Sequence, residues 1–169
     1  MPDQNPQVII DTSAGLIKLE LWADKAPKTV ANFLKYVDEK FFDGTIFHRT
    51  IPDFMIQGGG FAADMTQKPT HSPVKNEASA EVKNVKGTIA MARTSVVDSD
   101  TAQFFINVAD NDFLNHKDNS SQGFGYAAFG KVLEGQDVVD GISKVKTGRR
   151  GGHDDVPVQP VVINSVRRA

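Results

Sequence analysis

The sequence predicts a mostly β fold: an antiparallel β-barrel of about eight short strands accompanied by two helices. Three observations predict it. Short apolar runs, several alternating with period two, recur between clusters of glycine, proline and polar residues. Only two segments carry a helical apolar stripe. No internal repeat or linker divides the 169 residues, so residues 1–169 are expected to form one domain. A chain of this length buries a substantial core without disulfides, and closing a sheet into a barrel removes its exposed edges.

Composition narrows the function. Hydrophobic residues make up 40% and charged residues 24% of the chain, with a net charge of −2. That balance argues against a nucleic-acid surface. The absence of cysteine excludes a disulfide scaffold and thiol catalysis. The start, Met1 to Pro6, is polar, and no run approaches the roughly 20 apolar residues needed to span a bilayer. The expectation is a cytoplasmic protein with no membrane partner.

The elements follow in order. Val8 to Ile10 and the alternating Ile17 to Leu21 read as a hairpin around a five-residue loop, Asp11 to Gly15. Val30, Phe33, Leu34 and Val37 recur at i, i+3, i+4 and i+7, a helix opened by Pro27 and expected to plug one end of the barrel. Ile46 to Ile51 and Phe54 to Gln57 read as strands bent at Pro52-Asp53. Phe61 to Lys86, with a loosely helical Glu77 to Glu81, reads as a long binding-face loop. Gly87 to Arg93 and Gln103 to Val108 are strands joined by a polar loop. Asn111 to Asn115 belongs to a polar loop whose Phe113-Leu114 pair folds over a pocket. Tyr126 to Val132 is a strand. A helix with Val138, Val139, Ile142 and Val145 on one side follows, then a loop from Thr147 to Val156 and a last strand from Val158 to Val166.

Phe47 to Gly60, FHRTIPDFMIQGGG, carries the chemistry. Strand alternation places Phe47, Arg49 and Ile51 on one side and His48 on the other, then Met55 and Gln57 opposite Phe54 and Ile56. A guanidinium and an amide beside large apolar groups suit a shallow apolar pocket with one fixed donor. On the later strand, Gln103 and Phe105 again put one polar and one aromatic group on one face.

Other motifs fail on context. Gly123-Phe124-Gly125-Tyr126-Ala127-Ala128 fits a dinucleotide fingerprint in letters, but a loop precedes it and a strand follows. The Gly58-Gly59-Gly60 run lacks the Lys-Ser/Thr of a P-loop and reads as a turn past a close neighbour. His153-Asp154-Asp155 are consecutive loop residues, poorly placed to face one metal ion. Asn119-Ser120-Ser121 is a glycosylation sequon that matters only in a secreted chain. His48 reads as a structural histidine.

The pattern F-H-R-x-I-P-x-F-M-I-Q-G-G resembles the signature of the cyclophilins, the peptidyl-prolyl cis/trans isomerases. The glycine-led segment ending Met91-Ala92 and the Gln103-Phe104-Phe105-Ile106 segment are similar to two further cyclophilin blocks. The likeness runs from about Ile9 to the last strand and is greatest to the cytoplasmic bacterial members. It implies an eight-stranded antiparallel barrel with a helix over each end, acting on proline-containing polypeptides without a cofactor or metal. It implies Arg49 as the catalytic residue. Phe54, Met55, Phe105 and Leu114 would seat the proline ring, with Phe113 on the rim and Tyr126 nearby. Gln57 would hold Arg49, while Ala92, Arg93 and Gln103 would meet the backbone before the proline.

Three positions depart from the commonest pattern: Phe113 where Trp is frequent, Arg93 where Asn is frequent, and Tyr126 where His is frequent. They bear on inhibitors and sequence preference, so binding of cyclosporin is expected to be weak. A monomer is expected. The other reading is a proline-peptide binding or chaperone module whose catalysis is incidental.

Overall fold

The computed structural model describes residues 5–79, 82–94, 96–118, 120, 123–150 and 152–169. Ala80 and Glu81 of the expected helical turn, and Asn119 and Ser121 of the sequon, lie outside these. Eleven strands and two α-helices are present among the described residues. In chain order they are β1 (Gln7–Thr12), β2 (Gly15–Leu21), α1 (Pro27–Asp38), β3 (Thr45–Ile46), β4 (Arg49–Ile51) and β5 (Met55–Gly58). Then come β6 (Thr88–Met91), β7 (Phe104–Asn107), β8 (Ala128–Glu134), α2 (Gln136–Ser143), β9 (Thr147–Arg150), β10 (His153–Pro157) and β11 (Val162–Arg168).

Nine strands form one antiparallel sheet in the order β3-β11-β1-β2-β8-β6-β7-β5-β4. Its two edge strands, β3 and β4, are consecutive in the chain and separated only by Phe47 and His48. Three Cα–Cα steps reach at most about 11 Å, so the sheet must curl until its edges nearly meet. The sheet therefore has the curled form of a barrel. The ninth strand arises because the single run expected from Ile46 to Ile51 is broken in two.

That break corrects a face assignment. Alternation cannot run through Phe47 and His48, which are not paired in the sheet. Phe47 is fully buried against Phe104 and Arg49 is exposed, so they do not share a side.

Strand alternation sorts the remaining apolar residues into two clusters. Ile56, Ile89, Met91, Phe104, Ile106 and Phe129 point into the barrel. α1 fills it with Val30, Phe33, Leu34 and Val37, and Phe33 touches Phe42, Phe104 and Phe129 at centroid distances of 5.2, 5.6 and 5.3 Å. Fully burying one such ring contributes roughly 1.5–3 kcal/mol. The intervening residues, Met55, Ala90, Phe105 and Ala128, form a smaller cluster on the outer face with Leu114. The same four strands thus build the core with one face and the site with the other.

Several boundaries differ from expectation. The first hairpin turns in two residues rather than five, because Thr12 Oγ1 donates to Gly15 O at 2.7 Å and accepts from Ala14 N, closing the turn. Thr147 to Val156 is not a plain loop but contains most of the β9–β10 hairpin, which packs against β4. The last strand begins at Val162 rather than Val158, beyond Pro160.

Candidate active site

The outer cluster ends in a pocket of about 160 Å³ at the β4 side of the sheet. Register explains its composition. Arg49 pairs with Gln57, Gln57 with Phe105, Phe105 with Ala90, and Ala90 with Ala128. One row across five strands therefore runs from a guanidinium through an amide and an aromatic ring to two methyl groups. Of this row, Arg49, Gln57 and Phe105 line the pocket, and Ala90 and Ala128 are buried behind it.

Met55, Phe105 and Leu114 are buried in the wall of this pocket, and Phe54, Ala92 and Tyr126 are partly exposed there. Phe54 lies in the turn before β5, outside the strand expected for it, and so escapes strand parity to face the pocket beside Met55. Phe105 and Tyr126 meet edge to face at 5.6 Å. Leu114 arrives on a 3-10 turn, Asp112–Leu114, that also presents Phe113. Phe113 is 62% exposed and lies against Phe54 at 5.5 Å, outside the pocket wall proper.

The polar groups sit along one rim. Arg49 Nη1 donates to Gln57 Oε1 at 3.5 Å, and its guanidinium lies 5.8 Å from the Phe54 ring centre. Gln57 Nε2 in turn donates to Gln103 Oε1 at 3.0 Å. That second bond fixes which way the Gln57 amide faces, leaving its oxygen for Arg49. Gln103 itself lies beyond the pocket wall, in the cavities that adjoin it. Arg93 folds back, with Nη1 donating to Gly125 O at 3.0 Å and its guanidinium 5.7 Å from the Tyr126 ring. Two of the three unusual positions thus lie against each other.

The three glycines after Gln57 are required by proximity. A Cβ on Gly58 would stand 2.7 Å from Ile46 O, and one on Gly60 would stand 2.4 Å from Gln103 Cγ. Gly59 adopts φ +90°, which disfavours other residues.

Sequence reasoning missed the support behind the pocket. Asn107 Nδ2 donates to Asn84 Oδ1 and Thr88 Oγ1, and Asn111 Nδ2 donates to Asn107 Oδ1 and to Phe54 O. Asn84 Nδ2 donates to Leu114 O and Tyr126 O, each at 3.2 Å. Three pocket residues are therefore anchored through their carbonyls to one buried amide network. Nothing distinguishes these asparagines from turn formers in the sequence; only their burial does.

His48 lines a second cavity rather than this pocket. Burial pushes its imidazole down to about 4, with the charges of His153 and Arg49 acting in the same direction. No three His, Asp or Glu side chains converge as metal ligands among the described residues.

Comparison with known proteins gives a consistent answer. The family described as cyclophilin type peptidyl-prolyl cis-trans isomerase/CLD matches residues 7–168. A peptidyl-prolyl cis-trans isomerase of Streptomyces antibioticus is 61% identical over 160 residues, covering 95% of this chain and 96% of that protein. Peptidyl-prolyl cis-trans isomerase B of Escherichia coli strain K12 is 56% identical over 159 residues, covering 94% and 97%. A crystal structure of a Cryptosporidium parvum cyclophilin type isomerase, determined in the presence of the dipeptide Ala-Pro, aligns with a TM-score of 0.79 at 25% identity. It covers 96% of this chain and 98% of that one. The chain therefore belongs to the cyclophilin-type peptidyl-prolyl cis-trans isomerase family.

Proposed function

We infer that this isomerase accelerates rotation of X-Pro bonds by seating the proline ring in the outer pocket and turning the Arg49 guanidinium toward the imide nitrogen. Rotation about a peptide bond costs roughly 18–20 kcal/mol because it destroys amide resonance. In the planar imide the nitrogen lone pair is delocalised and accepts poorly. In the twisted transition state it localises and accepts a hydrogen bond. A donor fixed there binds the transition state better than either ground state, which is the requirement for catalysis. Arginine suits the task because it stays charged and presents a rigid fork of donors.

Raising an uncatalysed rate of roughly 10⁻² per second to roughly 10–10³ per second requires about 4–7 kcal/mol. One charge-assisted bond, an apolar seat and restricted geometry supply energy on that scale. Met55, Phe105 and Leu114 form the seat, Phe54 and Tyr126 its sides, and Phe113 an apolar rim. Ala92, Arg93 and Gln103 receive the backbone before the proline. The reaction needs no cofactor.

The observation that carries this reading is a guanidinium at the rim of an apolar pocket, held by Gln57. A module that merely binds proline peptides or acts as a holding chaperone needs the pocket but not the cation. Arg49→Ala is expected to remove most of the exchange rate on an Ala-Pro peptide, measured by NMR, with thermal melting unchanged because Arg49 is exposed. Near wild-type turnover in that variant would refute the mechanism.

The partners on this reading are proline-containing polypeptides, in keeping with the Ala-Pro dipeptide used with the Cryptosporidium parvum protein. The chain acts as one domain over residues 1–169 and as a cytoplasmic monomer. Among the described residues no helix is long and apolar enough to cross a membrane.

A further inference from the structure

A second cavity, of about 570 Å³, shares the side chains of Arg49 and Gln57 with the proline pocket. Its far wall is the β9–β10 hairpin, which brings His153, Asp154 and Asp155 to it, and its floor is His48. His48 is 5% exposed, yet among the described residues its Nδ1 has no hydrogen-bond partner. Its ring packs on Phe61 at 4.5 Å and stands 6.1 Å from His153, while Phe61 and His153 lie 5.1 Å apart. A buried ring nitrogen without a partner has lost its hydration with nothing in exchange. The His48 ring lines a space large enough for a side chain, next to the proposed catalytic guanidinium.

We propose that this cavity is a specificity subsite that receives an uncharged carboxamide side chain, Asn or Gln, from a residue near the isomerised proline. The proposal rests on the isomerase reading above. Two cavities that share a wall are bridged by two or three residues of extended chain, at about 3.3–3.6 Å per residue. One peptide therefore fills both.

The chemistry of the walls selects the ligand. Arg49 presents donors only, and Asp154 and Asp155 present acceptors only. The imidazole of His48, held neutral by its burial, brings no charge that would favour a carboxylate or an ammonium. Asp154 already faces Arg149 at 3.9 Å. A carboxylate would suit Arg49 but meet Asp154 and Asp155, and an ammonium would meet the reverse. A carboxamide carries both an acceptor and donors and is uncharged, so it can address both sides of the cavity at once.

The test is a Gln scan. A neutral host peptide containing Ala-Pro carries Gln in turn at each of the three positions before Ala-Pro and the three after it, and kcat/KM is measured against the all-Ala host. At one position Gln is expected to raise kcat/KM about fivefold, with Glu and Lys there both below Gln. Asp154→Ala, on the exposed hairpin, removes one of the cavity's acceptors and should bring the Gln-to-Ala ratio toward one. His48→Gln should also reduce the ratio, but that buried change can disturb the fold, so the hairpin variant decides. A scan in which no position exceeds twofold, a Glu preferred to Gln, or a gain that survives undiminished in Asp154→Ala would each overturn the subsite. Turnover of the all-Ala host separates the two readings. If the host is isomerised and Gln gains nothing, only the subsite fails; if the host is not isomerised, both fail.

Discussion

At the scale of single residues, the site is built from restraints that are individually weak. The Arg49–Gln57 contact is long and exposed, and the approach of the guanidinium to Phe54 contributes on the order of 0.5–1 kcal/mol. Several such contacts together aim the guanidinium, so aim rather than strength is what the neighbours supply. No proton moves when an imide rotates, and arginine remains charged at ordinary pH. His48, at about 4, is neutral throughout the neutral range and lines the other cavity. Turnover on a neutral X-Pro peptide is therefore expected to be nearly flat from about pH 6 to 9. A tenfold change across one ionisation near pH 6.5, where a free imidazole titrates, would assign a histidine to the chemistry. Phe113 supplies an apolar rim without an N–H, and one hydrogen bond contributes about 0.5–1.5 kcal/mol net. Cyclosporin should accordingly bind weakly and gain affinity in Phe113→Trp; equal affinities on titration would show that another contact limits binding.

At the scale of elements, the pocket depends on loops pinned by buried amides. Asn107→Ala would strip partners from Asn84, Thr88 and Asn111, and through Asn111 loosen the Phe54 carbonyl. Leaving buried polar groups unpaired costs about 1–3 kcal/mol each. A loss of about 3 kcal/mol in urea denaturation is expected, together with a several-fold rise in KM. A stability loss with KM unchanged would mean the network supports the fold but not the pocket. Elements of this kind also mark the limit of what the sequence discloses. β2, β5, β7 and α1 were legible because each has one face in the barrel core, which imposes a period on its side chains. The β9–β10 hairpin was not, because Thr147–Arg150 buries no residue and so imposes no apolar period. The break at Phe47 and His48 was hidden for a different reason. A run of strand-forming residues does not show where the chain leaves one edge of a curled sheet for the other, and that crossing makes Phe47 core and leaves Arg49 outside. The pocket residues Arg49, Phe54, Met55 and Gln57 were legible as a motif, whereas the second cavity needs β4 and β10 side by side.

At the scale of the whole molecule, one buried carboxylate sets a pH dependence separate from catalysis. Asp100 is fully buried, and among the described residues neither carboxylate oxygen has a hydrogen-bond partner. Its backbone carbonyl accepts from Val74 N at 2.9 Å, joining the segment before Gln103 to the long 61–86 excursion. Burial, opposed by Arg93 and reinforced by Asp98 and Glu77, pushes the carboxyl up to about 7. The unfolded chain releases this proton near pH 4, the folded chain near 7. Between those values the native state binds more protons, so its stability falls as pH rises and levels off above about 7. A displacement of about three units corresponds to at most about 4 kcal/mol. Asp100→Asn removes the ionisation while keeping the shape, and any cost of burying the amide is the same at every pH. The variant should therefore gain on the wild type between pH 5 and pH 8, by several degrees in the difference of melting temperatures. Titrations of groups that do not interact with Asp100 cancel in that difference. A difference that does not change with pH would show that Asp100 ionises as freely as in the unfolded chain, with water or a cation reaching the carboxylate.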